Sequence, residues 1–316
     1  MDAKTQELSD RLARLRDELS VFLRFEIGPT PRVEPGECRE EPGYFRTAIR
    51  YSTPDGDSIP AQLLTPPGDG PFPAVLVHHQ HSSEHWLGKS EPAGLAGDPL
   101  QAFGPALSRR GVVVLAPDSI GFEDRRRHAH GVEPHPADGP RHHNELTYRL
   151  LRGDTLMRKV LEDSASALSA LAGLSEVDAQ RIGMLGHSYG GNTVLFHAPL
   201  DDRVRFGCAS GAAASYGARM TLGTGIELAQ VVPGFLERFE VHDLVACMAP
   251  RPLLLLSATD DPYSVDADAV EAAARPAYEG LAAGRALEHT RFQGEHALTA
   301  ERFDLITAWT VNRAKR

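Results

Sequence analysis

The stretch Arg181-Ile182-Gly183-Met184-Leu185-Gly186-His187-Ser188-Tyr189-Gly190-Gly191 joins a short apolar run to a segment with helical character. The apolar residues 181–185 predict a buried strand, and residues 191–197 predict the start of a helix. A Gly-x-Ser-x-Gly motif between a strand and a helix requires a tight turn, which holds the serine hydroxyl out at the top of a sheet. The motif therefore predicts that Ser188 is a catalytic nucleophile. The alternative interpretation is a glycine-rich loop without a catalytic role.

A serine nucleophile needs a histidine base and a carboxylate that orients this base. Two later segments of the chain offer such groups. The apolar residues 251–258 predict a strand that ends at two adjacent carboxylates, Asp260 and Asp261. Residues 287–292 predict a last strand, and the turn that follows it contains His296. Because strands of α/β folds build their sites at their carboxyl ends, we expect these groups to meet Ser188.

Several motifs, taken together and in this order, resemble one known family. The chain is similar to the α/β-hydrolases of the dienelactone hydrolase and acetyl-xylan-esterase-like group, from about residue 70 to the C-terminus. The motifs that carry the resemblance are residues 73–81, 111–118, 181–191, 252–262 and 294–296. The chain departs from the family after the first of these motifs, because residues 79–83 lack the usual glycines.

The resemblance implies roles for individual residues. In this family the aspartate that directly precedes a proline is the better fit to the acid, which favours Asp261 and leaves Asp260 as the alternative. The family also forms an oxyanion hole from two backbone N–H groups. One corresponds to Tyr189, and the other corresponds to His81, with Gln80 as the alternative. The order serine, acid, histidine is that of the family.

The sequence of predicted elements indicates an α/β protein with a mostly parallel central sheet, covered by helices on both faces. Residues 2–27 have apolar side chains at helical spacing and predict an amphipathic N-terminal helical extension. Residues 28–43 are rich in proline and glycine and predict an extended connector. We therefore divide the chain into this helix with its connector, residues 1–42, and an α/β-hydrolase domain, residues 43–316. The helix is expected to pack on its own subunit, and contact within a homodimer is the alternative.

Two long segments that follow strands are expected to line the substrate site or to form a small lid, residues 119–152 and 211–245. The first is rich in arginine and histidine. These arginines either clamp an anionic group of the substrate or form ion pairs with carboxylates of their own segment, Glu123, Asp124 and Glu133. The candidate substrate-binding residues are His79, Glu123, Arg125 and Tyr216.

The composition limits the partners and the location of the protein. The net charge of −10 over 316 residues argues against a nucleic-acid partner, which requires a basic face. Three cysteines without metal or redox spacing favour a reducing, cytoplasmic location. No apolar run is long enough for a membrane span, and the polar start is unlike a signal peptide. We expect no cofactor, and no metal at His78, His79 and His81, since nothing in the sequence specifies converging ligands.

The function predicted from these features is that of a serine hydrolase, which cleaves a carboxylic ester or lactone of a small molecule through an acyl-enzyme. Three alternatives remain open. A peptidase or amidase, or a biosynthetic acyltransferase or cyclase, would use the same three groups, Ser188, Asp261 and His296. A binding protein without turnover is the third.

Overall fold

A single nine-stranded sheet forms the centre of the molecule. The computed structural model describes residues 2–81 and 83–316. In these residues the strands are β1 (Val33–Glu41), β2 (Tyr44–Ser52), β3 (Ser58–Thr65), β4 (Phe72–His78), β5 (Val113–Pro117), β6 (Val177–His187), β7 (Val204–Ser210), β8 (Leu253–Ala258) and β9 (Leu287–Phe292). Their order across the sheet is β1-β2-β3-β5-β4-β6-β7-β8-β9. The first three strands and the β3–β5 pair are antiparallel, and all pairs from β5 to β9 are parallel.

Helices cover both faces of the sheet, as the order of elements predicts. They are α1 (Ala3–Leu23), α2 (Phe103–Ser108), α3 (Asp138–Leu151), α4 (Leu156–Ala172), α5 (Tyr189–His197), α6 (Tyr216–Leu222), α7 (Val241–Cys247), α8 (Ala267–Gly280) and α9 (Ala300–Ala314). Alternate side chains of β4 divide between two cores, with Ala74 and Leu76 in one and Val75 and Val77 in the other. Helices α1, α4, α5, α7 and α8 cover the first core, and α2 and α9 cover the second.

The N-terminal helix packs on its own chain, as expected. Leu12, Leu19 and Leu23 of α1 are buried. The Arg16 guanidinium donates hydrogen bonds of 2.8 and 2.9 Å to the carbonyl oxygens of Cys247 and Ala249, at the end of α7. Among the described residues, no helix combines the length and the apolar character that a membrane span requires.

The predicted connector is in part a strand, which corrects the sequence interpretation. Residues Val33–Glu41 pair antiparallel with β2 as the edge strand of the sheet, with an irregularity in register between Pro35 and Cys38. Proline removes a hydrogen-bond donor, which an edge strand tolerates because only one of its sides is paired. The proline and glycine content of this segment therefore indicates an edge strand rather than an unpaired linker.

Candidate active site

The backbone turns sharply at Ser188, between the end of β6 and the start of α5. Ser188 has φ 55° and ψ −119°, a strained conformation for a residue with a side chain. The turn depends on the neighbouring glycines. A Cβ on Gly186 would lie 2.1 Å from the carbonyl carbon of Gly190, and a Cβ on Gly190 would lie 2.2 Å from the carbonyl oxygen of His78. The serine is thereby held at the carboxyl end of the central strand, where it lines a pocket.

A chain of hydrogen bonds connects Ser188 to a histidine and a carboxylate. His296 Nε2 lies 2.7 Å from Ser188 Oγ, and His296 Nδ1 lies 2.9 Å from Asp261 Oδ1. An ionised carboxylate only accepts hydrogen bonds, so Nδ1 is the donor to Asp261 and Nε2 is free to accept the serine proton. Asp261 is 1% exposed, whereas the imidazole of His296 lines the pocket. We call these three residues the triad.

The environment of Asp261 favours its ionised form. Burial alone would raise the pKa of this carboxyl. Hydrogen bonds from His296, from the Ser264 hydroxyl at 2.5 Å and from the Tyr263 backbone N–H at 2.9 Å outweigh burial and hold the pKa below its ordinary value. The negative charge therefore persists at neutral pH, where it can stabilise an imidazolium.

Backbone hydrogen bonds tie the acid loop to the histidine loop. The Asp260 N–H donates to the Gly294 carbonyl at 2.9 Å, and the Gly294 N–H donates to Thr259 Oγ1 at 3.1 Å. The side chain of Asp260 is exposed and accepts a hydrogen bond from Thr259 Oγ1. The fold thus brings Asp261, and not its neighbour, to His296.

The pocket beside Ser188 has a volume of about 520 Å³, and both polar and apolar atoms form its walls. Three histidines form one side, His81, His85 and His142, which we call the histidine cluster. On another side lie Arg219 and Glu227, from the segment that follows β7.

Several solved structures with a similar architecture are of esterases. Over 94% of this chain and 91% of its own, a glucuronoyl esterase from Solibacter usitatus superposes with a TM-score of 0.65 at 18% identity. An acetyl xylan esterase from Paenibacillus sp. R4 superposes over 98% and 94% of the two chains, with a TM-score of 0.60 and 17% identity. The chain has the α/β-hydrolase fold.

A sequence relative also exists. A Bacillus subtilis protein with the name "Putative hydrolase YtaP" is 29% identical over 252 residues, which cover 77% of this chain and 80% of that protein. No family model matches the chain.

The candidate oxyanion residues lie around Ser188. Tyr189 is the first residue of α5, so its backbone N–H has no partner within the helix. Its hydroxyl lies 2.5 Å from Ser119 Oγ. His81 and Gln80 follow β4, and the His81 ring lines the pocket while the Gln80 side chain donates to Glu91. The oxyanion role of these N–H groups stays a prediction.

The four candidate substrate-binding residues lie off the pocket wall. His79 is buried, with Nδ1 directed to the Gln80 carbonyl and Nε2 accepting from the Ser119 N–H. The Tyr216 hydroxyl donates to the Gln230 carbonyl at 2.7 Å. These side chains are engaged by hydrogen bonds within the fold, which is the physical reason that they do not line the pocket beside Ser188.

Glu123 and Arg125 are likewise bound in the protein interior. Glu123 joins Asp118 and Asp124 around the ammonium group of Lys89, an arrangement that we call the lysine cluster. Arg125 pairs with Asp163 at 2.6 Å and with Asp57 at 2.9 Å.

The neighbouring arginines form ion pairs as well, but their carboxylate partners differ from those expected. Arg126 pairs with Asp138 at 2.8 Å, and Arg127 pairs with Glu145 at 3.1 Å. The expected partner Glu133 contributes only its backbone carbonyl, to Arg126. These arginines therefore form ion pairs within the protein, as one of the two interpretations of the sequence predicts. The buried arginines do not form a clamp for an anionic group.

Sequence reasoning missed most of the pocket wall. The sequence predicts that segments 119–152 and 211–245 line the site, but it does not predict that His142 and Arg219 are the residues that do so. His85 and Tyr263 were not singled out at all. A pattern within one segment does not show which side chains of distant segments converge, so no local signal was available for this set.

Proposed function

We propose that this protein is a serine hydrolase of carboxylic esters. The observation that carries the proposal is the hydrogen-bonded chain from Ser188 through His296 to Asp261, with distances of 2.7 and 2.9 Å. These distances fall within the range at which a base takes a proton from its nucleophile. The esterases with the same fold support this reaction class.

The mechanism follows from these positions. His296 takes the proton of Ser188 as the serine oxygen attacks the ester carbonyl, and Asp261 stabilises the imidazolium. The backbone N–H groups of Tyr189 and His81 are assigned to the oxyanion. The imidazolium gives its proton to the leaving alcohol, and an acyl-enzyme remains. Water then attacks the acyl group, with His296 again as base, and the free acid leaves.

We further propose that the preferred ester carries a polar group, such as a hydroxylated or anionic one. Arg219 lines the pocket although it is only 2% exposed, and its Nη1 donates to Gln230 Oε1 at 2.6 Å. Its buried Nε has no hydrogen-bond partner among the described residues. An arginine with unused donors is suited to a carboxylate or hydroxyl oxygen of a substrate.

Hydrolysis of matched ester panels tests this function. Sugar acetates and methyl esters of uronic acids represent the polar class, and aliphatic esters of equal leaving group represent the apolar class. We expect kcat/KM to be higher for polar esters, and Ser188→Ala to lower kcat by at least about 10⁴-fold. Ser175→Ala, which alters an exposed serine, serves as the control. Full activity of Ser188→Ala would reject the nucleophile, and faster cleavage of amides than esters would favour an amidase.

A cytoplasmic location and a small-molecule substrate without a nucleic-acid partner complete the proposal. The three cysteines are free thiols, and Cys208 and Cys247 are buried. The net charge of −10 supports the absence of nucleic acid. Cell fractionation tests the location, and sedimentation tests the proposed alternative of a homodimer.

A further inference from the structure

We propose that the histidine cluster, His81, His85 and His142, binds a divalent transition-metal ion of the zinc class. One ring nitrogen from each histidine is available, and these three nitrogens lie within 4.8 Å of one another. A tetrahedral ion with metal–nitrogen bonds of about 2.0–2.1 Å holds its ligands roughly 3.4 Å apart. The rings therefore need to move inward by about an ångström when the ion binds.

Three of the six ring nitrogens of the histidine cluster are buried without a hydrogen-bond partner among the described residues, whereas His81 Nδ1 accepts from the Ser83 N–H at 3.1 Å. His142 is 3% exposed, and neither of its ring nitrogens has a hydrogen-bond partner among the described residues. His85 is 6% exposed, and its Nδ1 is also without a partner. Buried polar atoms without partners are costly, so native structures nearly always satisfy them. A bound cation would satisfy these nitrogens.

Two other groups of ligand-type side chains already contain a cation from the chain. In the lysine cluster, the ammonium group of Lys89 occupies the space between three carboxylates. In the group of His128, His135 and Asp138, the carboxylate is paired with the guanidinium of Arg126. In the described part of the chain, none of the three residues of the histidine cluster forms such an ion pair.

The chemistry of the cluster fits a soft or borderline metal. Three imidazoles are the ligand set that suits zinc and its neighbours. Neutral imidazole is the form of histidine that coordinates a metal. Three protein ligands would leave one coordination position of the ion open, and the three histidines line the pocket that also contains Ser188.

This site differs from the group His78, His79 and His81, at which the sequence analysis expects no metal. His78 is bound to Ser164 at 2.9 Å, and both ring nitrogens of His79 are engaged. Only His81 of that group belongs to the cluster. The other two ligands come from positions 85 and 142, on separate segments.

Zinc binding by the full chain tests the proposal, after removal of any polyhistidine tag. Protein stripped with a chelator is dialysed against Zn²⁺, and bound zinc is measured by mass spectrometry; Co²⁺ gives a second readout through the visible absorption of four-coordinate cobalt. We expect one Zn²⁺ per chain in the wild type. His142→Ala and His85→Ala should each weaken binding by at least about tenfold.

Two histidines provide matched controls. His143→Ala alters the exposed neighbour on α3, and His135→Ala alters the competing group that contains Asp138. Both variants should keep the wild-type stoichiometry. Circular dichroism of the metal-free proteins identifies any variant that fails to fold. If either His85→Ala or His142→Ala does not fold, the other variant tests the proposal. Absence of zinc from the wild type, wild-type affinity in a folded cluster variant, or loss of zinc in His135→Ala would each overturn the proposal.

Discussion

The pocket has two sides that are built in different ways. In the triad, Ser188, His296 and Asp261 are held by hydrogen bonds to one another and to the loops that carry them. In the histidine cluster, ring nitrogens of His85 and His142 are buried and have no hydrogen-bond partner in the part of the chain that the structure describes. The triad is complete within the chain, whereas the histidine cluster needs a group from outside. The difference separates a site preorganised by its own bonds from one that a ligand completes.

After loss of the nucleophile itself, the largest expected effect comes from breaking the triad at its acid. Asp261→Asn removes the charge that stabilises the imidazolium and favours the wrong tautomer of His296, so we expect kcat for ester hydrolysis to fall by about 10³–10⁴-fold. Asp260→Asn is the matched control, because that side chain is exposed. It should leave kcat within about twofold. A larger loss in the control than in Asp261→Asn would move the acid by one residue.

The lysine cluster is a third case, in which a cation of the chain itself stabilises a group of carboxylates. Lys89 is 5% exposed and pairs with Asp118 at 3.0 Å and with Asp124 at 2.7 Å. Lys89→Met would leave the buried carboxylates of Asp118 and Glu123 without their cation and should lower the free energy of unfolding by about 3–5 kcal/mol.

Urea denaturation measures this change, with Lys315→Met near the C-terminus as the control. Equal stability of wild type and Lys89→Met would contradict the role assigned to the cation.

Arg219 tests the side of the pocket assigned to the polar group of the ester. Arg219→Gln keeps a hydrogen-bonding side chain but removes the charge. We expect kcat/KM for an anionic ester to fall about 10–100-fold, since a hydrogen bond to a charged group contributes about 1.5–3 kcal/mol. The ratio to an aliphatic ester measured on the same protein corrects for any loss of folded enzyme. An unchanged ratio would remove Arg219 from substrate recognition.

The smallest expected effect concerns Glu227, beside Arg219 in the pocket. Burial raises the pKa of Glu227 to about 7, and its Oε1 has no partner among the described residues. Between the ordinary carboxyl pKa and this value the folded protein binds more protons than the unfolded chain, so Glu227 makes stability fall as pH rises through this interval.

The side chain in Glu227→Gln does not titrate, so this variant does not lose stability at this position as the pH rises. The residue is half-buried, which reduces the effect to about 1 kcal/mol, so Tm should rise by about 2 °C at pH 8 and change little at pH 5. Thermal melts at the two pH values measure it. An equal gain at both would show that the substitution acts through packing and not through titration.

Local patterns were sufficient to predict the elements that carry the triad. The Gly186-His187-Ser188 turn, the strand that ends before Asp261 and the loop that holds His296 all follow from apolar runs and the turns that bound them. Each of these signals lies within about ten residues. The α/β fold and the N-terminal helix were predictable for the same reason.

Side-chain partners over long sequence distances were not predictable. Arg125 pairs with Asp57 and Asp163, which are 68 and 38 residues away. His85 and His142 meet only because the loop after β4 and helix α3 lie over the same pocket. A single sequence gives no measure of such convergence, so the wall opposite the triad required the structure.

The central claim is that Ser188 is an activated nucleophile, and labelling with a fluorophosphonate tests it most directly. Intact mass spectrometry of the wild type should show one adduct per chain, and Ser188→Ala, with the same circular dichroism spectrum, should show none. A folded wild type without an adduct, or an adduct of equal yield on Ser188→Ala, would contradict the account.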